Sequence, residues 1–301
     1  MDSIDKGLLN DLNENCRITY RELALKYNIS SSAIKKRVKK LEETRIITSY
    51  GLRLSLEMAG VRLLYGMLAT DGSQDEAEFV NTLGGNNKVI AAASYTGGHY
   101  VLIAEFRDSQ DLWDIGAFLR SFDCVHNIET HQLLSPPGKI MEFSKLHLRI
   151  LKTLKEDPRK SIVEIAEQSN LTARRVRKLV KEIIEGRAVI FSTFVELGAA
   201  GSIPFLMRMT WDERATDHQT IVAWLKETFE PSLWETYISV EAPVIISLLT
   251  AENLNEVDTI SRTTRRHEHI PRVTVQIAKH HNYFPGIRSA ALEQLISKAN
   301  L

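Results

Sequence analysis

RITYRELALKYNI, residues 17–29, and RKSIVEIAEQSNL, residues 159–171, are one segment written twice. At a constant offset of 142, Arg17 falls on Arg159, Glu22 on Glu164, Leu23 on Ile165, Ala24 on Ala166, Asn28 on Asn170 and Ile29 on Leu171. The register continues without a gap. Backward, Leu8, Leu9 and Leu12 fall on Ile150, Leu151 and Leu154; forward, Ser30, Ile34, Val38, Leu41 and Arg45 fall on Thr172, Val176, Val180, Ile183 and Arg187. Agreement at one period over so long a stretch marks a duplicated structural unit.

Each copy opens with three helical patterns. Ile4, Leu8, Leu9 and Leu12 recur at helical spacing. Thr19 followed by Glu22 is a capping box that starts a second helix, which runs to about Tyr27; Ser161 and Glu164 repeat it. A tight turn at Asn28-Ile29 leads to Ser30, the cap of a third helix that turns Ile34, Val38 and Leu41 inward. In the second copy Thr172 is that cap, and Val176, Val180 and Ile183 are the inward residues. Helix, short turn and capped second helix make a helix-turn-helix, whose last helix enters the major groove by its N-terminal end.

Charge supports that use. Windows 30–45 and 172–187 each carry six Lys or Arg against two Glu, while the formal net charge of the whole chain is zero. Positive charge is thus concentrated on the two third helices, where an anionic polymer can dock. The candidate DNA-contacting residues are Ser31, Ser32, Lys35, Lys36, Arg37 and Lys39 in the first copy. In the second they are Arg174, Arg175, Arg177, Lys178 and Lys181. Short Ser and long Lys or Arg reach phosphates and base edges, and Arg bridges guanine bidentately.

Beyond each third helix the hydrophobic period changes to two. In the first copy strands are predicted at 61–70, 88–95, 99–106 and 125–134, with helices at 74–83 and 111–122. In the second the strands are 203–211, 234–240, 244–250 and 273–279, with helices at 218–229 and 254–265, and a last helix spans 287–298. The order βαββαβ is ferredoxin-like. The expected fold is therefore α+β: two winged-helix-like helix-turn-helix heads alternating with two βαββαβ ferredoxin-like domains. Expected boundaries are 1–50 and 51–138 for the first copy, then 139–192 and 193–301, with the linker Ser135–Gly138 between copies. The two sheet domains are expected to pack face to face within one chain and to hold the heads at fixed spacing.

Other classes are excluded or disfavoured. The longest apolar runs, such as Val244–Leu249, are too short to span a bilayer. Only Cys16 and Cys124 are present, far apart, which suits a reducing cytoplasmic setting and provides no CxxC zinc site. Walker loops, GxSxG elbows, HExxH pairs and GxGxxG turns are absent. His267 and His269 would share a face of an extended segment, but Arg265, Arg266 and Arg272 crowd them with positive charge. No catalytic residue, metal or cofactor is therefore assigned.

Residues 4–24, IDKGLLNDLNENCRITYRELA, and 29–47, ISSSAIKKRVKKLEETRII, resemble the amino-terminal signature of the Lrp/AsnC (feast/famine) transcription regulators. The resemblance extends in outline through both repeats. It implies double-stranded DNA as partner, ferredoxin-like domains that sense ligand and dimerise, and an effector, often an amino acid. The family's sensing site lies at the turn between the second and third strands, here Thr96-Gly97-Gly98-His99, where glycine permits close approach. The family often carries Asp shortly after the glycine, whereas this chain has His99; the second copy has Glu241-Ala242-Pro243, without glycine. Two fused units resemble the dimer of an ordinary member, and the fused chain can stand alone or pair further with copies of itself. Two rivals are carried. One is an architectural protein that binds DNA with little sequence preference. The other is an enzyme similar to siroheme decarboxylases, which rely on His and Arg near bound tetrapyrrole. The His280-His281-Asn282-Tyr283 run would lie past the final strand, and Ala93-Ser94-Tyr95 stands where those enzymes have His-Asn-Tyr.

Overall fold

Repeated local signals give repeated local structure. The computed structural model describes residues 1–136 and 138–298, so Pro137 of the expected linker lies outside the described residues. The first head contains α1 (Ser3–Glu14), α2 (Tyr20–Tyr27) and α3 (Ser31–Glu43), then β1 (Ile47–Leu54) and the single turn α4 (Leu56–Ala59). The first ferredoxin-like domain follows as β2 (Arg62–Thr70), α5 (Glu76–Leu83), β3 (Val89–Tyr95), β4 (His99–Phe106), α6 (Ser109–Arg120) and β5 (Val125–Gln132). The second head has α7 (Lys145–Glu156), α8 (Ile162–Ser169), α9 (Ala173–Gly186) and β6 (Val189–Val195). The second ferredoxin-like domain has β7 (Ile203–Thr210), α10 (His218–Phe229), β8 (Leu233–Ile238), β9 (Val244–Ala251), α11 (Leu254–Arg265) and β10 (Arg272–Tyr283). The chain ends in α12 (Gly286–Lys298).

One expectation fails here. The His280–Tyr283 run does not follow the last strand but belongs to it: His281, Asn282 and Tyr283 pair with Ala93, Ala92 and Ala91 of β3. A register shift between Ala278 and His281 interrupts the alternation on which the sequence reading relied.

In space the four segments group as two compact units. Among the described residues, one comprises 62–135 and 197–286; the other comprises 2–61, 136–196 and 287–298. The sheet unit holds one eight-stranded sheet in the order β5-β2-β4-β3-β10-β7-β9-β8. Every neighbouring pair is antiparallel. Each half has the 4-1-3-2 order of a ferredoxin-like domain, and the halves join through β3 and β10. The outer ends of the sheet also meet: Leu133 bridges Ser239, Leu134 N donates to Ile238 O (2.8 Å) and Val240 N to Gln132 O (2.9 Å). The eight strands therefore form a ring. Outside it, α5 and α6 cover one half over a core that includes Leu64, Leu68, Phe79, Tyr100, Leu102 and Ile115. The second half has its own outer core, with Phe205, Met207, Ile221, Leu225, Ile245 and Ile260. Inside lie Tyr65, Ile90, Val101, Ile103, Leu206 and Ile246, drawn from both halves. The expected face-to-face packing is thus present, with the edges stitched as well.

The head unit is built on the predicted inward stripes. Leu8, Leu9, Leu12, Leu23, Ile34 and Val38 are buried in the first head. In the second, Ile150, Leu151, Leu154, Ile165, Val176 and Ile183 are buried, with Leu292 of α12 completing that core. Each such side chain contributes about 1.5–3 kcal/mol relative to exposure. β1 and β6, one from each head, pair antiparallel from Ile47↔Val195 to Leu54↔Val189 as a two-stranded ribbon. Gly51 is needed there, since a Cβ would meet the Phe194 ring at 2.5 Å.

Candidate nucleic-acid interface

Both helix-turn-helix motifs are set by the same four local devices. Thr19 accepts from Glu22 N (3.2 Å) while Thr19 N donates to the Glu22 carboxylate (2.8 Å), a closed capping box; Ser161 and Glu164 form the same box. Asn28 and Asn170 close α2 and α8 in the left-handed region, at φ 52° and 51°. Asn tolerates this conformation better than most residues. Ser30 Oγ accepts from Ala33 N (3.1 Å) to start α3, and Thr172 caps α9. Arg45 and Arg187 take a left-handed turn just beyond, at φ 57° and 49°. Among the described residues the four non-glycine residues of positive φ thus fall into two pairs at the repeat period.

The repeat mates also hold the heads together. The Arg17 guanidinium donates to Pro158 O and to Lys160 O (3.1 and 3.2 Å) in the turn between α7 and α8. Arg159 returns the contact, donating to Cys16 O (2.8 Å) in the equivalent turn of the first head. Arg159 also lies over the rings of Tyr20 and Tyr50, 5.1 and 5.0 Å from their centroids. Cys16 N donates to Phe191 O (3.2 Å), and Thr193 Oγ1 to Leu12 O (2.9 Å), so α1 sits on β6. The heads are thus joined directly by a clasp of their own.

Ser31, Ser32, Lys35, Lys36 and Lys39 are exposed on α3, and Arg174, Arg175, Arg177, Lys178 and Lys181 are exposed on α9. Among the described residues Lys35, Lys36, Arg174, Arg175 and Arg177 make no ion pair. Lys39, Lys178 and Lys181 meet only Glu43, Glu182 and Glu185, four residues on and at 3.4–3.7 Å. Such exposed pairs are weak and do not withdraw the cations from a polyanion. Arg37 is different, being half-buried and paired. Its guanidinium is held by Asp5 (2.7 Å) and Asp2 (2.8 Å) at the start of α1, where the helix N-terminus also favours carboxylates.

The second head fixes its reading helix at the same place by other chemistry. His147, the repeat mate of Asp5, closes the capping box on Ser144 through Nδ1, and its Nε2 lies 3.0 Å from Glu182 on α9. Neither clamp was read from the sequence. The Arg17–Arg159 equivalence is plain in the sequence, but a shared position in a repeat does not say that each reaches the other head.

The turn Thr96-Gly97-Gly98-His99 joins β3 and β4, with Gly97 and Gly98 at φ 81° and 72°. Thr96 is tied to β10: its N donates to Ile277 O (2.9 Å) and its Oγ1 accepts from Ile277 N (3.2 Å). Gly98 O accepts from Thr70 N and Oγ1, both at 2.9 Å, and His99 Nδ1 lies 3.3 Å from Thr96 O. In the other half the Glu241 carboxylate accepts from Gln132 N (3.0 Å), so that turn helps to close the ring. Among the described residues no group of three His, Cys, Asp or Glu is placed to hold a metal, and no helix is long and apolar enough to cross a membrane. His267 packs edge-on to Trp224 (4.4 Å between centroids), and burial lowers its pKa.

Two paired winged helix-turn-helix heads with exposed cationic reading helices define a DNA-binding protein. A family model described as winged helix-turn-helix DNA-binding matches residues 1–48 and again 143–185. An uncharacterized HTH-type transcriptional regulator of Pyrococcus furiosus is 30% identical over 137 residues, 44% of this chain and 91% of the relative. The HTH-type transcriptional regulator LrpA of Pyrococcus horikoshii is 30% identical over 120 residues, 38% of this chain and 82% of the relative. The regulatory protein AsnC of Escherichia coli is 31% identical over 102 residues, 33% of this chain and 66% of the relative. The chain belongs to the Lrp/AsnC family of DNA-binding transcription regulators, in a tandem-duplicated form. Among solved structures, the siroheme decarboxylase NirDL covers 100% of both chains at TM-score 0.56 and 14% identity, a likeness of fold.

Proposed function

We propose that this chain acts as a single-polypeptide pseudo-dimer that reads two unlike DNA half-sites and regulates transcription in the cytoplasm without performing catalysis. The observation that carries this reading is the reciprocal clasp of Arg17 and Arg159, which unites the heads in one unit while α3 and α9 keep their cations exposed. Ser31, Ser32, Lys35, Lys36 and Lys39 contact one half-site; Arg174, Arg175, Arg177, Lys178 and Lys181 contact the other. Arg37 positions α3 through Asp2 and Asp5. A small effector, an amino acid among the candidates, engages the Thr96–His99 turn and shifts assembly or head geometry.

The test is selection of purified full-length chain on fragmented genomic DNA against scrambled competitor at two salt concentrations. Enriched fragments that survive higher salt and contain two dissimilar half-sites are expected. Uniform binding abolished by salt would support the architectural rival instead.

One observation favours a second reading, a tetrapyrrole-binding enzyme. The corrected strand places His281 beside Ala93 of β3, within the sheet rather than past it. The solved NirDL structures include a complex with an iron-uroporphyrin III analogue. Optical absorption of the purified chain mixed with an iron uroporphyrin separates the two: a shifted Soret band supports the enzyme, and an unshifted one the regulator.

A further inference from the structure

Among the described residues, two polar atoms inside the strand ring have no hydrogen-bond partner: the Tyr65 hydroxyl and Arg208 Nε. Tyr65 is 1% exposed and belongs to the inner cluster of the ring. Arg208 lies between Met207 and Met209, which both pack in the outer core, so strand alternation turns its side chain inward. The guanidinium reaches Glu129 Oε1 on β5, although β5 and β7 are not neighbours in the sheet. The same carboxylate pairs with His131 Nε2 (2.9 Å), and His131 Nδ1 lies 2.9 Å from Ser239 Oγ. Tyr237, whose ring is 6.2 Å from that of Tyr65, gives its hydroxyl to Glu235.

The interior thus holds a network with two unpaired donors, and the charges of Arg208 and Glu129 both act on Tyr65. A buried donor left unpaired is unfavourable and rare. Both unpaired groups carry a proton to donate, so the missing group is an acceptor. A guanidinium Nε–H beside a phenol O–H suits a planar carboxylate. The walls are apolar and aromatic, and Ala91, Ala93 and Ala278 leave the β3–β10 side shallow. The Glu129 and Arg208 side chains keep 37% and 21% of their surface exposed, so the site reaches solvent. An eight-stranded ring has room inside either for side chains alone or for one small ligand as well.

We infer that the ring interior between Tyr65 and Arg208 binds a small planar carboxylic acid, its carboxylate accepting from both donors and its apolar body lying against Tyr237 and the alanines. This site is distinct from the Thr96–His99 turn, and the inference does not rest on DNA binding.

Calorimetric titration of the full chain with benzoate and phenylacetate tests it, with benzyl alcohol and benzylamine as matched probes lacking the carboxylate. Saturable one-to-one binding of an acid, and none of the alcohol or amine, is expected. Tyr65→Phe should weaken that binding at least about tenfold. Arg208→Lys, which keeps a charge opposite Glu129 but lacks Nε–H, should weaken it as well. Tyr100→Phe is the control. Tyr100 is equally buried but lies in the outer core, its hydroxyl 3.1 Å from Gln74 Nε2, and its loss should leave acid binding unchanged. No binding of either acid, or equal binding by Tyr65→Phe and Arg208→Lys, overturns the inference. Binding of the amine as tight as the acid does the same. DNA binding assayed on the same preparations keeps the two proposals separable, because either can fail while the other stands.

Discussion

Asp111 is a buried carboxylate in the first turn of α6. It sits three residues after the Asp108 cap of α6, with its side chain 6% exposed. It accepts from Arg107 Nε (2.8 Å), Nη2 (3.1 Å) and N (2.9 Å), and Lys88 Nζ is 3.4 Å away. The Arg107 side-chain hydrogen bond is the main cause that holds its pKa at about 2 against an ordinary 3.8, although burial pulls the other way. A lowered carboxylate contributes stability that is complete above pH 4 and is lost as pH falls towards 2. The expected contribution is of order 2 kcal/mol. Asp111→Asn should therefore unfold at lower urea at pH 7, and its stability should fall less steeply than the parent's between pH 4 and pH 2. Equal slopes in that window would refute the assignment. The Thr19–Glu22 and Ser161–Glu164 capping boxes were legible in the sequence because they are local: cap and partner are three residues apart. The Asp5–Arg37 and His147–Glu182 clamps were not, because nothing local says which of several cations or carboxylates a helix start will meet.

At the scale of elements, α3 and α9 were fully legible. Hydrophobic period, cap and charge agreed, and the inward and outward faces came out as read. Their work is testable by salt. Lys35→Gln with Lys36→Gln should leave the fold intact, because both side chains are exposed and unpaired among the described residues. The slope of log affinity against log salt should flatten by about two, measured by fluorescence anisotropy on a selected duplex. An unchanged slope would remove α3 from the interface. β10 was legible only to Lys279. Its continuation beyond the irregularity at Ala278 is polar, and its pairing partner β3 lies far away in sequence. The β1–β6 ribbon was also hidden, since each strand read as an isolated extended segment whose partner is in the other repeat.

At the scale of the molecule, duplication announced two copies, and the sheet domains were expected to meet face to face, as they do. What the order head, sheet, head, sheet did not announce is the direct pairing of the heads through β1, β6 and the arginine clasp. The units collect like with like, both heads in one and both sheets in the other. The reason is that each half has an unfinished surface: a lone wing strand in each head, and an open sheet edge with an apolar inner face in each ferredoxin-like half. Only the other copy completes it. One chain should therefore saturate one duplex carrying both half-sites. Titration at concentrations well above Kd should break at a one-to-one ratio, and a break at two chains per duplex would exclude the pseudo-dimer. Arg17→Ala and Arg159→Ala should each lower affinity for the two-site duplex more than for a single half-site, and their combined effect should be less than additive.

The clasp between Arg17 and Arg159 joins halves that match in position but not in composition. A homodimer seated on a palindrome looks the same after being turned end for end. This molecule does not: it has a left hand and a right hand, and a bound copy points along the duplex as an arrow does. Whatever meets it on the DNA would meet one particular end, so the regulator can carry orientation as information in addition to address.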